Sequence, residues 1–333
     1  MNQNFSESDI KFFQRSTVKS HSTLVHIALF VITFITTVIA GLEWTSGTMG
    51  PYEFNDLAQG LPYAISALFF LTAHEFGHYF AAKAHKVKTT LPYYIPFPPI
   101  PGFFNFGTMG AVIRIKSPIP NNKAMFDIGV AGPIAGFIAC IIILVIGFTN
   151  LPGPEYLEKI HPGYFSPDYQ SAGLYFAFGD TILFSILREI FSQPGVFIPP
   201  MSEIYHYPFL CVGWFGLFVT AMNMLPIGQL DGGHIVYSMF GLKKHEAVAS
   251  ISMITIGTLG FMGLASILLN AETPIGWSGW LFWAFILYFV IKVKHPPVYE
   301  FSPLSKTRII LGWISILILF LSFSPSPFTL SMV

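Results

Sequence analysis

The run His74-Glu75-Phe76-Gly77-His78 places two imidazoles four residues apart with a carboxylate between them. On an α-helix, positions i and i+4 share one face about a turn apart, so both rings can reach a single Zn²⁺. The intervening Glu75 can then act on a water bound to that metal. The flanks read Leu-Phe-Phe-Leu-Thr-Ala before the run and Tyr-Phe-Ala-Ala after it, inside an apolar stretch, residues 60–83, long enough to cross a bilayer. Three ionisable side chains left unpaired at that depth would carry a heavy cost, so the pattern points to a metal and to hydrolysis below the lipid surface.

A zinc site of this kind needs a third protein ligand and leaves its fourth position to water. The region that offers one is Asn223-Met224-Leu225-Pro226-Ile227-Gly228-Gln229-Leu230-Asp231-Gly232-Gly233-His234, where Pro, three Gly and an acid interrupt an apolar run. A carboxylate at membrane depth is expected to have a cation partner, which makes Asp231 a candidate. His234 is the other, since a site of three imidazoles is chemically sound.

The elements that must position these groups are membrane helices. Of 333 residues, 53% are hydrophobic and only 10% charged, against about a quarter charged in soluble domains. Apolar stretches of crossing length occupy residues 23–42, 60–83, 125–148, 206–224, 247–269, 276–292 and 308–325. The fold class expected is therefore an all-α polytopic membrane protein with about seven transmembrane helices. The first stretch follows polar residues without a convincing cleavage site and reads as a retained helix. Cys140 and Cys211 fall within predicted spans, where packing is their ordinary role. No basic patch calls for nucleic acid, and the partner implied is the lipid bilayer.

Lys and Arg placement orients the bundle. With the N-terminus cytoplasmic, the inside loops collect fifteen of them, from Lys11 to Arg308, while the outside keeps only Lys159 and Arg188. In that topology residues 60–83 run inward, and His74 lies about 13 Å from their inner end at roughly 1.5 Å per residue. The span beginning at residue 206 runs the same way, so Asp231, following its end, reaches a similar depth. The expected location is a plasma (inner) membrane, with the active site near its cytoplasmic side. The organisation expected is a cytoplasmic segment 1–22, a first helix and outside loop 23–59, a catalytic core 60–241 and C-terminal helices 242–333.

Two connections are long. Residues 84–124 hold a Pro-rich aromatic stretch, residues 91–101, which cannot be helical, followed by alternating β-branched residues ending at Arg114 and Lys116. The segment is expected to form a re-entrant or membrane-associated β-hairpin loop on the cytoplasmic side. The outside loop, residues 149–205, contains an apolar part, residues 173–192, that carries Asp180, Arg188 and Glu189. It reads as a helix lying on or dipping into the outer face. Asp127, near the start of the third span, reads as a first-turn acid stabilised by the helix dipole.

Taken together, the His-Glu-x-x-His run in an early span, Gly132-Pro133-Ile134-Ala135-Gly136 in the next, and Asn223, Pro226 and Leu230-Asp231-Gly232 closing a later one resemble the site-2 protease family of intramembrane zinc metalloproteases, peptidase family M50. The likeness covers about residues 60–241. It implies one Zn²⁺ per chain on His74, His78 and Asp231, with Glu75 as general base, and it leaves His234 beside the site. It favours Asn223 as a group on the substrate backbone or oxyanion over a helix-end cap. The Gly107–Lys116 strand resembles the family's membrane-associated β-loop, which makes Gly107, Met109 and Ile113 candidate substrate contacts. The chain has room for neither the PDZ domain nor the CBS pair of many members and is expected to be a compact form.

The expected activity is regulated intramembrane proteolysis of a single-span protein or signal-peptide remnant, with Glu75-activated zinc-bound water as nucleophile. Two other readings remain. A zinc transporter would use intramembrane His and Asp, but should show polar positions across several spans. An inactive relative that binds membrane helices would have no need of Glu75.

Overall fold

Runs of leucine, isoleucine, phenylalanine and alanine longer than a bilayer is thick bury their backbone polar groups only as helices, and helices dominate the chain. A computed structural model describes residues 23–47, 50–98, 100, 105–167, 169, 174–269, 275–298 and 300–332. The expected N-terminal segment 1–22, with Lys11, Arg15 and Lys19, lies outside the described residues, as do Pro99 and Pro101 of the Pro-rich stretch. In chain order the helices are α1 (Thr23–Ser46), α2 (Leu57–Ala84), α3 (Asn122–Thr149), α4 (Glu155–Ile160), α5 (Ile182–Phe191), α6 (Pro208–Met224), α7 (Asp231–Phe240), α8 (Leu242–Leu269), α9 (Gly279–Ile286) and α10 (Lys306–Ser322). A π-helical turn, Leu287–Ile291, extends α9.

Each of the seven apolar stretches coincides with one of these helices. Among the described residues, three are long and apolar enough to cross a membrane: α1, α3 and α8. Helix α2 is as long as α3 but carries the His-Glu-x-x-His run, and α6, α9 and α10 are shorter.

Strands β1 (Tyr93–Pro96) and β2 (Thr108–Val112) pair antiparallel with a register shift between Tyr94 and Pro96. The pair lies between α1 and α2 and is tied to both. Thr36 Oγ1 donates to the Gly107 carbonyl at 2.6 Å, Trp44 Nε1 donates to the Asn105 carbonyl at 2.8 Å, and Thr72 and Tyr94 share a hydroxyl contact of 2.7 Å.

Segment 173–192 departs from the expectation of a surface helix. Residues Leu174–Phe178 form β3, and only Ile182–Phe191 is helical, about 15 Å long and too short to span. Strand β3 pairs antiparallel with β4 (Phe328–Met332), in register from Leu174 opposite Met332 to Phe178 opposite Phe328. The alternating aromatics Phe176 and Phe178 pack on Phe328, so the strand forms only once a partner some 150 residues away arrives.

Asp127 also departs from its expected role. The Asn121 side chain caps α3 by accepting from the Ala124 amide at 2.9 Å, and α3 has no acid in its first turn. Asp127 instead accepts both arms of the Arg308 guanidinium, at 2.8 and 2.7 Å, and meets His85 Nε2 at 2.7 Å. One carboxylate thus joins the end of α2, the start of α3 and the start of α10. A bidentate, half-buried pair of this kind is worth more than an exposed ion pair. Replacing Arg308 with Met should lower stability by about 1–2 kcal/mol, read as a fall in melting temperature of the detergent-solubilised chain, with metal content unchanged.

Candidate metal centre

Three glycines let α2 and α3 cross closely enough to seat two imidazoles. A Cβ on Gly77, inside the His-Glu-x-x-His run, would come within 2.5 Å of the Ala131 carbonyl oxygen. A Cβ on Gly132 would overlap the His78 ring, and one on Gly136 would stand 3.0 Å from His74 Nδ1. Gly132-Pro133-Ile134-Ala135-Gly136 therefore forms the wall against which both rings lie. Pro133 interrupts α3 from within, because it cannot donate to the Gly129 carbonyl. The neighbouring Ile128 carbonyl accepts from His78 Nδ1 at 2.7 Å. With its proton held on Nδ1, His78 turns the Nε2 lone pair to the interior.

Asp231 arrives from the broken end of α6. The chain turns through Leu225–Leu230, with Gly228 at φ +54°, and restarts as α7 with Asp231 as its first residue. Side chains at Gly232 or Gly233 would overlap the carbonyls of Met224 and Gly228, so the turn closes only with both glycines.

The three donor atoms then face one another. His74 Nε2 and His78 Nε2 are 3.1 Å apart, and Asp231 Oδ2 lies 3.5 and 3.4 Å from them. All three residues are shielded, with side-chain exposures of 6%, 9% and 16%. Three acceptors converging in a buried space repel unless a cation lies among them. Ligands about 2.0–2.1 Å from a tetrahedral zinc lie about 3.3–3.4 Å from each other, so the donor triangle has the size that ion requires. Two neutral imidazoles and one carboxylate are also a donor set that suits it.

Glu75, buried beside the triangle, accepts on Oε2 from the Ile113 amide at 2.8 Å. Sequence reasoning missed this bond, which brings the β2 strand to the carboxylate. Arg114 and Lys116 bond back towards residues 88–90, so alternation along the strand turns the Ile113 amide to the opposite edge, facing α2.

The remaining candidates are not among the three clustered donor atoms. His234 Nδ1 meets His295 Nε2 at 2.8 Å, and His234 does not join the His74, His78 and Asp231 cluster. Asn223 is half-buried and makes no side-chain hydrogen bond among the described residues; the Leu225 amide closes the α6 end on Met222 instead. Gly107, at φ +71°, presses on Thr36 and Thr37 with both backbone groups engaged. Met109 projects outward, 69% exposed.

Comparison with known proteins places this architecture. The family model of peptidase family M50 matches residues 62–266. A protein of Oryza sativa subsp. japonica named probable zinc metalloprotease EGY1, chloroplastic, is 32% identical over 205 residues, covering 60% of this chain and 32% of that protein. The Arabidopsis thaliana protein of the same name is 30% identical over 227 residues, 68% of this chain and 36% of its own length. Probable zinc metalloprotease EGY2, chloroplastic, of Oryza sativa subsp. indica is 25% identical over 250 residues, 75% of this chain and 38% of that protein. The chain spans about a third of the length of these curated relatives. No solved structure matches.

The seat for His78 supplies a test that leaves every donor residue unchanged. Gly132→Ala should displace the ring and weaken Zn²⁺ binding about 10–100-fold, measured by competition with a chromophoric chelator, while Gly257→Ala, where a Cβ meets nothing within 4 Å, should leave affinity unchanged.

Proposed function

The chain belongs to peptidase family M50, and we propose that it is an intramembrane zinc metalloprotease that cuts membrane-spanning segments of other proteins. The observation that carries this reading is the donor triangle of His74, His78 and Asp231 with Glu75 beside it. The relatives' names, which call them zinc metalloproteases, support the choice of metal. Residues 60–241 are the catalytic core in this reading.

His74, His78 and Asp231 would hold zinc, which supplies Lewis acidity: it makes water nucleophilic near neutral pH and polarises a peptide carbonyl. The Ile128 carbonyl fixes the His78 tautomer, so the ring presents an electron pair and not a proton. Glu75 takes the proton of the attacking water and returns it to the leaving amine. With Oε2 occupied by the Ile113 amide, Oε1 is the oxygen that moves the proton. Asn223, with its amide uncommitted, is placed in this reading to hydrogen-bond the substrate backbone.

A helical substrate protects its peptide bonds with its own hydrogen bonds and must be unwound before attack. The edge of β2 that faces α2 can receive an unwound segment as an added strand. Ile113 is where such a strand would meet Glu75, and Met109 is an exposed contact further along. Gly107 serves by holding the strand against α1. The substrate is a single-span protein or signal-peptide remnant. The fifteen-to-two distribution of Lys and Arg supports a cytoplasmic N-terminus and cleavage near the cytoplasmic side, and a plasma membrane belongs to the same reading. Seven crossings are part of the same reading.

Three variants test the chemistry. Glu75→Gln should retain the zinc of the His74–His78–Asp231 centre that Asp231→Ala loses, yet slow cleavage of a reconstituted single-span substrate at least 10³-fold. Undiminished cleavage by folded Glu75→Gln protein would overturn the assignment. Ile113→Pro removes the amide at the strand edge, so it should impair cleavage of a membrane-inserted substrate while leaving zinc bound.

A further inference from the structure

A second triangle of the same kind lies at the opposite end of α6 and is built from other residues. His161 follows α4, and Glu203 and His206 lie on the turn that precedes α6. His161 Nε2 and His206 Nε2 are 2.9 Å apart, and Glu203 Oε2 lies 3.5 Å from each. The inner triangle has sides of 3.1, 3.4 and 3.5 Å, so the two are nearly congruent.

The hydrogen bonds around this outer group aim its donors inward. His206 is fully buried, and its Nδ1 donates to the Thr45 carbonyl at the end of α1 at 2.8 Å, which leaves the Nε2 lone pair facing His161. The backbone carbonyl of His206 accepts from Tyr156 Oη at 2.8 Å, which fixes the residue from its other side. Glu203 is 12% exposed, and its Oε2 is buried with no hydrogen-bond donor, whereas Oε1 has Ser202 and Tyr164 nearby. A proton on His161 Nε2 could serve His206, but it would leave Glu203 Oε2 unpaired. A cation at the centre serves all three acceptors at once.

We propose that His161, Glu203 and His206 form a second metal site, for a divalent transition-metal ion of the Zn²⁺ class, with a fourth position open to water on the side where His161 is partly exposed. Imidazole nitrogen with one carboxylate oxygen selects this class over Ca²⁺ or Mg²⁺, which take oxygen ligands. Two neutral imidazoles and one carboxylate leave the occupied site with a net charge of +1, as at the inner centre. Burial pushes the Glu203 carboxyl up to about 7, a penalty that a bound cation would relieve. The ion would be a staple: it ties the end of α1 through Thr45, the loop after α4 through His161, and the start of α6 through Glu203 and His206. It lies beside Trp44 and Tyr205, whose rings meet at 6.0 Å, and Trp44 holds the Asn105 carbonyl of the β1–β2 connection.

The test is metal stoichiometry of the tag-free, detergent-purified full chain, stripped with chelator and dialysed against Zn²⁺. Wild type and Glu75→Gln should bind two equivalents. His161→Ala and Glu203→Gln, both chosen to leave buried His206 intact, should bind one, and so should Asp231→Ala. In the Asp231→Ala chain the remaining equivalent should raise the melting temperature by about 5 °C. Wild-type content in folded His161→Ala and Glu203→Gln, or no zinc at all in folded Asp231→Ala, would overturn the outer site and leave the inner one standing. Zinc lost in His161→Ala but fully retained in Asp231→Ala would support the outer site and count against the inner assignment.

Discussion

The inner site depends on how closely α2 and α3 approach. Gly77 faces the backbone of α3, and Gly132 and Gly136 face the two rings carried by α2, so helix separation and ring position are set by the same contact. A methyl group at any of these points pushes the helices apart or turns an imidazole. Lipid offers no hydrophobic drive for helices to associate, so their proximity must come from surfaces that fit. The surface that brings the helices together is the surface that aims the two imidazoles.

Electrostatics explains the rest of the inner arrangement. An unpaired charge in a buried setting costs on the order of 3–5 kcal/mol, so the inner carboxylates cannot be arbitrarily placed. Each has a defined neighbour: Asp231 faces two imidazoles, Asp127 takes a guanidinium fork and a third imidazole, and Glu75 takes a backbone amide. The assignments differ in kind. Asp127 has a permanent cation and is structurally settled. Asp231 faces two imidazoles, one of which turns its Nδ1 away to the Ile128 carbonyl, and Glu75 is held by a single backbone amide.

Much of this was legible in the chain. The apolar runs located the helices to within a few residues, and the i, i+4 spacing of His74 and His78 put both rings on one face because a helix is periodic. The placement of Asp231 near the two imidazoles was legible through the Pro and Gly residues that break α6 and through a depth argument from helix rise and the Lys and Arg distribution, while its choice over His234 came from the family resemblance. What stayed hidden were contacts whose partners are distant in sequence and have no pattern of their own. The Ile113 amide is a backbone group that every residue but proline carries, so no residue type announced its bond to Glu75. Strand β3 looked like part of a surface helix because its partner, β4, lies at the far end of the chain. Asp127 looked like a helix-dipole acid because Arg308 lies 181 residues away. His161 and Glu203 are ordinary loop residues until the turn before α6 folds back over α1.

The separation of Asp127 and Arg308 has a consequence for how the protein is made. Ribosomes add roughly 5–20 residues per second, so the guanidinium emerges about 10–40 s after the carboxylate has reached the membrane. During that interval α2 and α3 are already present, with His85 as the local partner for Asp127, while the helix that completes the clamp does not yet exist. The Asp127 clamp therefore closes only after α10 has been made. Until α10 docks, His85 is the side chain that meets Asp127, beside the packing of Ala82 and Val87 on Ile128 that already joins the two helices.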